Sequence, residues 1–236
     1  RYDGWQLLRF LVLYERQDRS YHAFPKLGRG GSNSVTNSCT ERLDPSRSLL
    51  GAEQETWLAQ GFATSTAKWN ILAQQTLMAQ TSQIPVKKPG DGQFWTDGWD
   101  GYPAARDRLF DDIAKYRPAN PVVLSGDVHT FYAAELKRNF DRETSPANPL
   151  IATEFCGTSI TSSSRPQART DQYLAQNPHV KYGRSDRRGF VMMEVTPART
   201  VAHFQGIDNV QQADSGLSTL ASFIVENGKP GVVRPV

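Results

Sequence analysis

Asn120-Pro121-Val122-Val123-Leu124-Ser125-Gly126-Asp127-Val128-His129-Thr130-Phe131-Tyr132-Ala133-Ala134-Glu135-Leu136 is the stretch whose reading decides the fold. Val122 to Leu124 is a short apolar, β-branched run, which predicts a strand buried on both faces that stops at Ser125-Gly126. Gly126 permits a tight turn, and Asp127 and His129, two apart, point to one side if the segment stays extended. A carboxylate and an imidazole together suit zinc, iron, manganese and similar ions, and an ion so held can activate water or polarise a phosphoryl oxygen. The same residues also fit a turn closed by a hydrogen-bonded Asp–His pair. Phe131 to Leu136 then reads as the next strand.

Upstream, Tyr102 to Tyr116 has helical spacing, with Tyr102, Ala105, Leu109, Ile113 and Tyr116 on one side, Pro103 in the first turn and Pro118 as the stop. Strand, helix and strand in succession argue for an α/β sheet. Leu7 to Leu13 and Trp69 to Gln75 read as further interior strands, the second ending in amides, and Leu50 to Ser65 as a helix with Trp57, Leu58, Gly61 and Phe62 on its inner stripe. Two loops separate these elements. Tyr21 to Pro45 is rich in Gly, Ser, Asn and Thr and is expected to be poorly ordered in its middle. Lys87 to Gly101 crowds Trp95 and Trp99 among Gly and Asp, so these rings either wall a pocket or tuck under the loop.

Downstream, Pro149 to Gly157 predicts a strand and Gln167 to Gln176 a short helix, followed by a polar stretch to Arg188 in which Arg184, Arg187 and Arg188 read as a solvated loop. Phe190 to Val195, Thr200 to Gln205 and Leu220 to Val225 make the C-terminal third β-rich.

The 236 residues hold five Trp and eleven Phe at 22% charged residues, enough apolar surface for a core. A formal charge of +3 with no dense Lys/Arg block gives no nucleic-acid-binding patch, and no apolar run approaches the ~20 residues of a membrane span. The first residue is Arg1 and no signal peptide is visible. Cys39 and Cys156 are read as two free thiols. His22, His179 and His203 are read as structural or solvent-exposed.

Six pieces, in order, resemble the alkaline phosphatase D (PhoD-like) branch of the metallophosphatases: Leu50–Leu58, Lys68–Gln75, Trp99–Arg106, Ser125–His129, Thr153–Ser163 and Gly189–Pro197. The resemblance implies a metallophosphatase-type sandwich of mixed β-sheets flanked by helices, with a multinuclear metal site at the ends of the central strands. It implies metal-dependent hydrolysis of small-molecule phosphate esters, iron and calcium as the metals with other divalent ions as alternatives, and export to the periplasm, cell surface or medium. Asp127 and His129 are the residues it carries over as metal ligands, Asp127 standing where many metallophosphatases have the first His of Gly-His-x-His.

The family's other metal-binding motifs lie upstream of anything matched, so residues 1–236 are expected to form a partial domain lacking its N-terminal part. The family's Leu-Asp-x-Arg-x-Tyr-Arg is replaced by Leu13-Tyr14-Glu15-Arg16-Gln17-Asp18-Arg19, which keeps Arg16 but exchanges Asp and Tyr. A second reading follows: a catalytically inactive fragment, or a β-rich half-domain that binds a partner through an unfinished sheet.

Overall fold

A computed structural model describes residues 2–4 and 6–233. At its centre are four parallel strands, β2 (Leu8–Val12), β4 (Trp69–Ala73), β6 (Pro121–Ser125) and β8 (Leu150–Cys156), paired in that order. The sheet is extended by β1 (Tyr2–Gly4) antiparallel to β2, and on the far side by β7 (Phe131–Lys137) and β9 (Val180–Arg184), which gives a seven-stranded mixed sheet in the order β1-β2-β4-β6-β8-β7-β9.

The apolar run of β6 is continuous because both of its faces are covered. Val122 packs towards a second sheet and Val123 towards the helices, and both are fully buried. The same two-residue alternation sends Phe131 and Ala133 of β7 one way and Tyr132, Ala134 and Leu136 the other. The second sheet is a four-stranded antiparallel meander of β10 (Arg188–Val195), β11 (Arg199–Ile207), β12 (Leu217–Glu226) and β13 (Lys229–Val233). Phe204 is the hub between the sheets, edge-on to Phe131 at 5.4 Å and to Phe223 at 5.6 Å between ring centres. An aromatic pair of this kind adds about 0.5–1.5 kcal/mol to the burial of its area.

The opposite face of the large sheet carries α1 (Ala52–Ala63) and α2 (Pro103–Tyr116). Pro103 opens α2, and Arg117, at φ 50°, closes it by donating its backbone N–H to Ile113 O at 2.8 Å before Pro118 ends the helix. Leu58, Gly61 and Phe62 of α1 face inward as the stripe predicts, but Trp57 is 37% exposed and belongs to the outer side.

Several expectations are corrected. The Tyr21–Pro45 loop is not featureless: its β3 (Ser34–Thr36) pairs with β5 (Gln93–Trp95) of the second predicted loop, and its residues Ala23, Val35 and Cys39 form a small core of their own. The polar stretch before Arg188 contains β9, and Arg188 is not a solvated loop residue. It is buried, and its guanidinium donates to Ser159 Oγ at 3.0 Å, to Ser162 O at 2.7 Å and to Ser185 O. Cys39 and Cys156 are both buried and unbridged. Among the described residues no helix is long and apolar enough to cross a membrane.

Candidate active site

Because β2, β4, β6 and β8 run in the same direction, their C-terminal ends and the loops that follow them meet at one edge of the sheet, where open α/β sheets bind ligands. At the end of β6 the chain does not stay extended. Val128 N donates to Gly126 O at 2.8 Å, closing a three-residue turn, and Asp127 and His129 both take left-handed backbone conformations, φ 67° and 56°. Asp and His are among the residues that tolerate this region, but two such residues in three concentrate backbone strain of roughly 1 kcal/mol or more each at one bend.

The turn separates the two side chains instead of aligning them. Asp127 Oδ2 accepts from Arg16 Nη2 at 3.2 Å, in the loop after β2, while His129 Nδ1 meets Ser163 O at 2.9 Å, in the loop after β8. Among the described residues they do not hydrogen-bond each other. A carbonyl only accepts, so His129 Nδ1 is the donor, and in the neutral ring Nε2 keeps the lone pair, the tautomer a metal-ligating histidine needs.

Arg16 ties Asp127 to a second carboxylate that spacing did not single out. Arg16 Nη1 lies 3.2 Å from Asp97 Oδ1, and the same oxygen takes Arg19 Nη1 at 2.8 Å and His22 Nε2 at 2.9 Å. Burial disfavours the Asp97 anion, but the hydrogen bonds from Arg19, His22 and Arg16 outweigh it and hold its carboxyl at about 2. His22 is therefore a buried partner of the site's edge, whereas His179 is structural: it is buried, its Nε2 lies 2.7 Å from Gln80 O, and burial depresses it to about 4. His203, in β11 of the second sheet, bonds Ser222 Oγ on the neighbouring strand β12.

Beneath this rim lie two buried glutamates. Glu15, next to Arg16, accepts from Trp99 Nε1 at 3.0 Å and Thr76 N at 3.1 Å, and burial raises its carboxyl to about 8. Glu154, on β8, accepts from Met78 N and Ala79 N, each at 2.7 Å, and from Ser125 Oγ at 2.6 Å, and burial raises it to about 7. Trp99 is thus fully tucked into the core of the site, while half-buried Trp95 walls an adjoining cleft of about 520 Å³ together with Asp97, Asp127, Tyr173, Arg165 and Arg169. Asp100 holds buried Arg106 at 2.8 Å and does not join the rim network.

Both sequence candidates, Asp127 and His129, sit on the site's central turn, and Asp97, which the sequence did not single out, lies beside Asp127 across Arg16. Among the described residues no group of three or more His, Cys, Asp or Glu side chains could hold a metal ion. The retained Arg16 of the Leu13–Arg19 segment was the one sequence signal for the rim network.

A sandwich of a mixed sheet and an antiparallel sheet, with helices on the outer face and a charged turn at the ends of parallel strands, is the architecture of the PhoD-like phosphatases. The model of that family matches residues 3–204, and the chain belongs to it. The alkaline phosphatase D of Bacillus subtilis (strain 168) is 39% identical over 199 residues, which cover 81% of this chain and 32% of the relative. A solved structure of PhoD superposes with a TM-score of 0.83 at 35% identity, over 97% of this chain and 42% of that one. The chain therefore spans about a third of the length of the curated relative it matches.

Proposed function

We propose that the chain supplies part of the active site of a metal-dependent phosphoric ester hydrolase, in which Asp127 and His129 are metal ligands and a small-molecule phosphate ester is the substrate. Iron and calcium are the metals the family resemblance favours. The observation that carries the reading is the Gly126–His129 turn: His129 is held by Ser163 O in the tautomer that leaves Nε2 available, and Asp127 keeps one carboxylate oxygen outside its contact with Arg16. Membership of a phosphatase family supports the reaction class.

A bound cation here supplies charge neutralisation on the phosphoryl oxygens and a more acidic water for in-line attack. The chain's own contribution is positional. β6, buried on both faces, fixes the turn, and Ser163 O fixes the imidazole. Arg16, shared between Asp97 and Asp127, offsets their charge at the rim. Two protein ligands fall short of the about three that a catalytic ion takes. We read the remaining ligands as lying outside these 236 residues, and the protein as an exported one.

The test is turnover of p-nitrophenyl phosphate by this chain alone and by a chimera that adds the part of the Bacillus subtilis relative preceding the matched residues. The expected result is background turnover alone, with iron and calcium added, and chelator-sensitive turnover by the chimera. Asp127→Asn or His129→Ala in the chimera is expected to lower turnover about 100-fold or more and to reduce metal content with an unchanged circular dichroism spectrum. Metal-independent turnover, or normal metal content in both variants, defeats the reading.

A further inference from the structure

We propose that Arg165 and Arg169, stacked on Tyr173, form a subsite for a second anionic group of the substrate, a phosphate or carboxylate lying beyond the scissile phosphoryl. The proposal rests on the phosphoester reading above and names the kind of ester it would favour. Arg165 immediately precedes Pro166, and Arg169 lies in the first turn of α3 (Gln167–Gln176). The guanidinium carbons lie 4.9 and 4.7 Å from the centre of the same buried Tyr173 ring, so the two charges are within about 10 Å of each other. Stacking on one ring preorganises both forks.

Neither guanidinium forms an ion pair among the described residues. Arg165 Nη1 donates to Tyr132 Oη at 3.4 Å, and Arg169 donates to Gln172 Oε1 at 2.9 Å and Gln83 O at 3.3 Å. Arg16 and Arg19 at the rim, and Arg106 beneath it, pair with carboxylates, which makes the pair on Tyr173 different in kind.

The pair also abuts the turn. Ser163 O meets His129, Ser164 Oγ meets Thr130 Oγ1 at 3.0 Å, and Arg165 meets Tyr132, so one three-residue strap runs beside residues 129–132 and carries both the imidazole's anchor and the first arginine. The same cleft is lined by Asp97 and Asp127 and by Arg165 and Arg169, with Trp95 contributing an apolar surface. A phosphoryl group held at the carboxylates would leave the rest of the ester in a cleft that also presents two guanidiniums, which bind phosphate or carboxylate through charge-assisted, paired hydrogen bonds.

The probe is inorganic phosphate, titrated calorimetrically into the 236-residue chain with chelator present, so that no metal contributes. Saturable binding is expected, weakened about fivefold to tenfold by Arg165→Gln or Arg169→Gln and more by both together. Lys88→Gln, at an exposed lysine elsewhere, is expected to leave it unchanged. Absence of saturable binding, indifference to both arginine substitutions, or equal weakening by Lys88→Gln would overturn the subsite. Because the measurement is metal-free, its failure leaves the ligand role of Asp127 and His129 standing, and failure of that role leaves phosphate binding at the arginines measurable.

Discussion

Asp97 at the rim and Glu15 beneath it belong to the same cluster of loops, yet their surroundings drive them in opposite directions. Asp97 faces Arg16, Arg19 and His22 and is held ionised, at about 2. Glu15 faces an indole N–H and a backbone amide with no cation in contact, and burial holds it protonated to about 8; Glu154, beside Ser125, follows it at about 7. Amide donors satisfy a buried carboxyl's lone pairs without repaying the desolvation of its charge, whereas guanidinium groups do repay it. The site is thus a charged rim over a nearly neutral floor.

The largest effect comes from removing a floor carboxyl. Glu154→Ala leaves Met78 N and Ala79 N without their acceptor, and is expected to cost roughly 3–5 kcal/mol in urea unfolding, against roughly 1–3 for Glu154→Gln, which keeps one carbonyl. Equal, small losses would mean that the floor is solvated.

The pH dependence is next in size. Glu15 is raised above its unfolded value of 4.5 to about 8, so the folded state holds the extra proton and its contribution to stability, complete below pH 4.5, is lost as pH rises through 8. Asp97 is depressed from 3.8 to about 2, so its contribution is present above 3.8 and lost as pH falls through 2. Glu15→Gln is expected to flatten the decline between pH 5 and 9 by a few kcal/mol, and Asp97→Asn to flatten the acid limb by about 1 kcal/mol after allowance for its partial exposure, both read from urea midpoints across pH. A decline that Glu15→Gln leaves untouched would contradict the neutral floor. The smallest effect tests the rim. Arg16→Ala removes the cation beside Asp127 and is expected to tighten divalent-cation binding about threefold to tenfold by calorimetry; weaker binding would show that Arg16 is needed to present the carboxylate.

Much of the fold was legible from periodicity and punctuation. Val122 to Leu124 announced the central strand, Pro103 and Pro118 bounded α2, and Ser125-Gly126 marked the turn at the strand's end. The conformation of that turn was not legible. An extended segment would have placed Asp127 and His129 on one side, but two left-handed residues turn them towards different loops. The Arg16–Asp97–Asp127 network joins residues 81 and 111 positions apart, and only the order of the parallel strands brings them together. Arg188 read as a solvated loop residue because charge predicts exposure; it is buried, as is Glu15, because the loops around them supply their hydrogen-bond partners. β9 was missed because its Lys181 and Arg184 broke the apolar alternation at a sheet edge.

The central claim, that His129 is a metal ligand, is most directly tested by its ring nitrogens. In long-range proton–nitrogen spectra of the chain, His129 is expected to show a protonated Nδ1 and a bare Nε2 in chelator. On titration with zinc as a spectroscopically silent stand-in, the Nε2 resonance is expected to shift while Nδ1 stays protonated, with no such shift in Asp127→Asn at the same concentration. A His129 that begins as the opposite tautomer, or whose Nε2 is unmoved by zinc in the unmodified chain, would contradict the account.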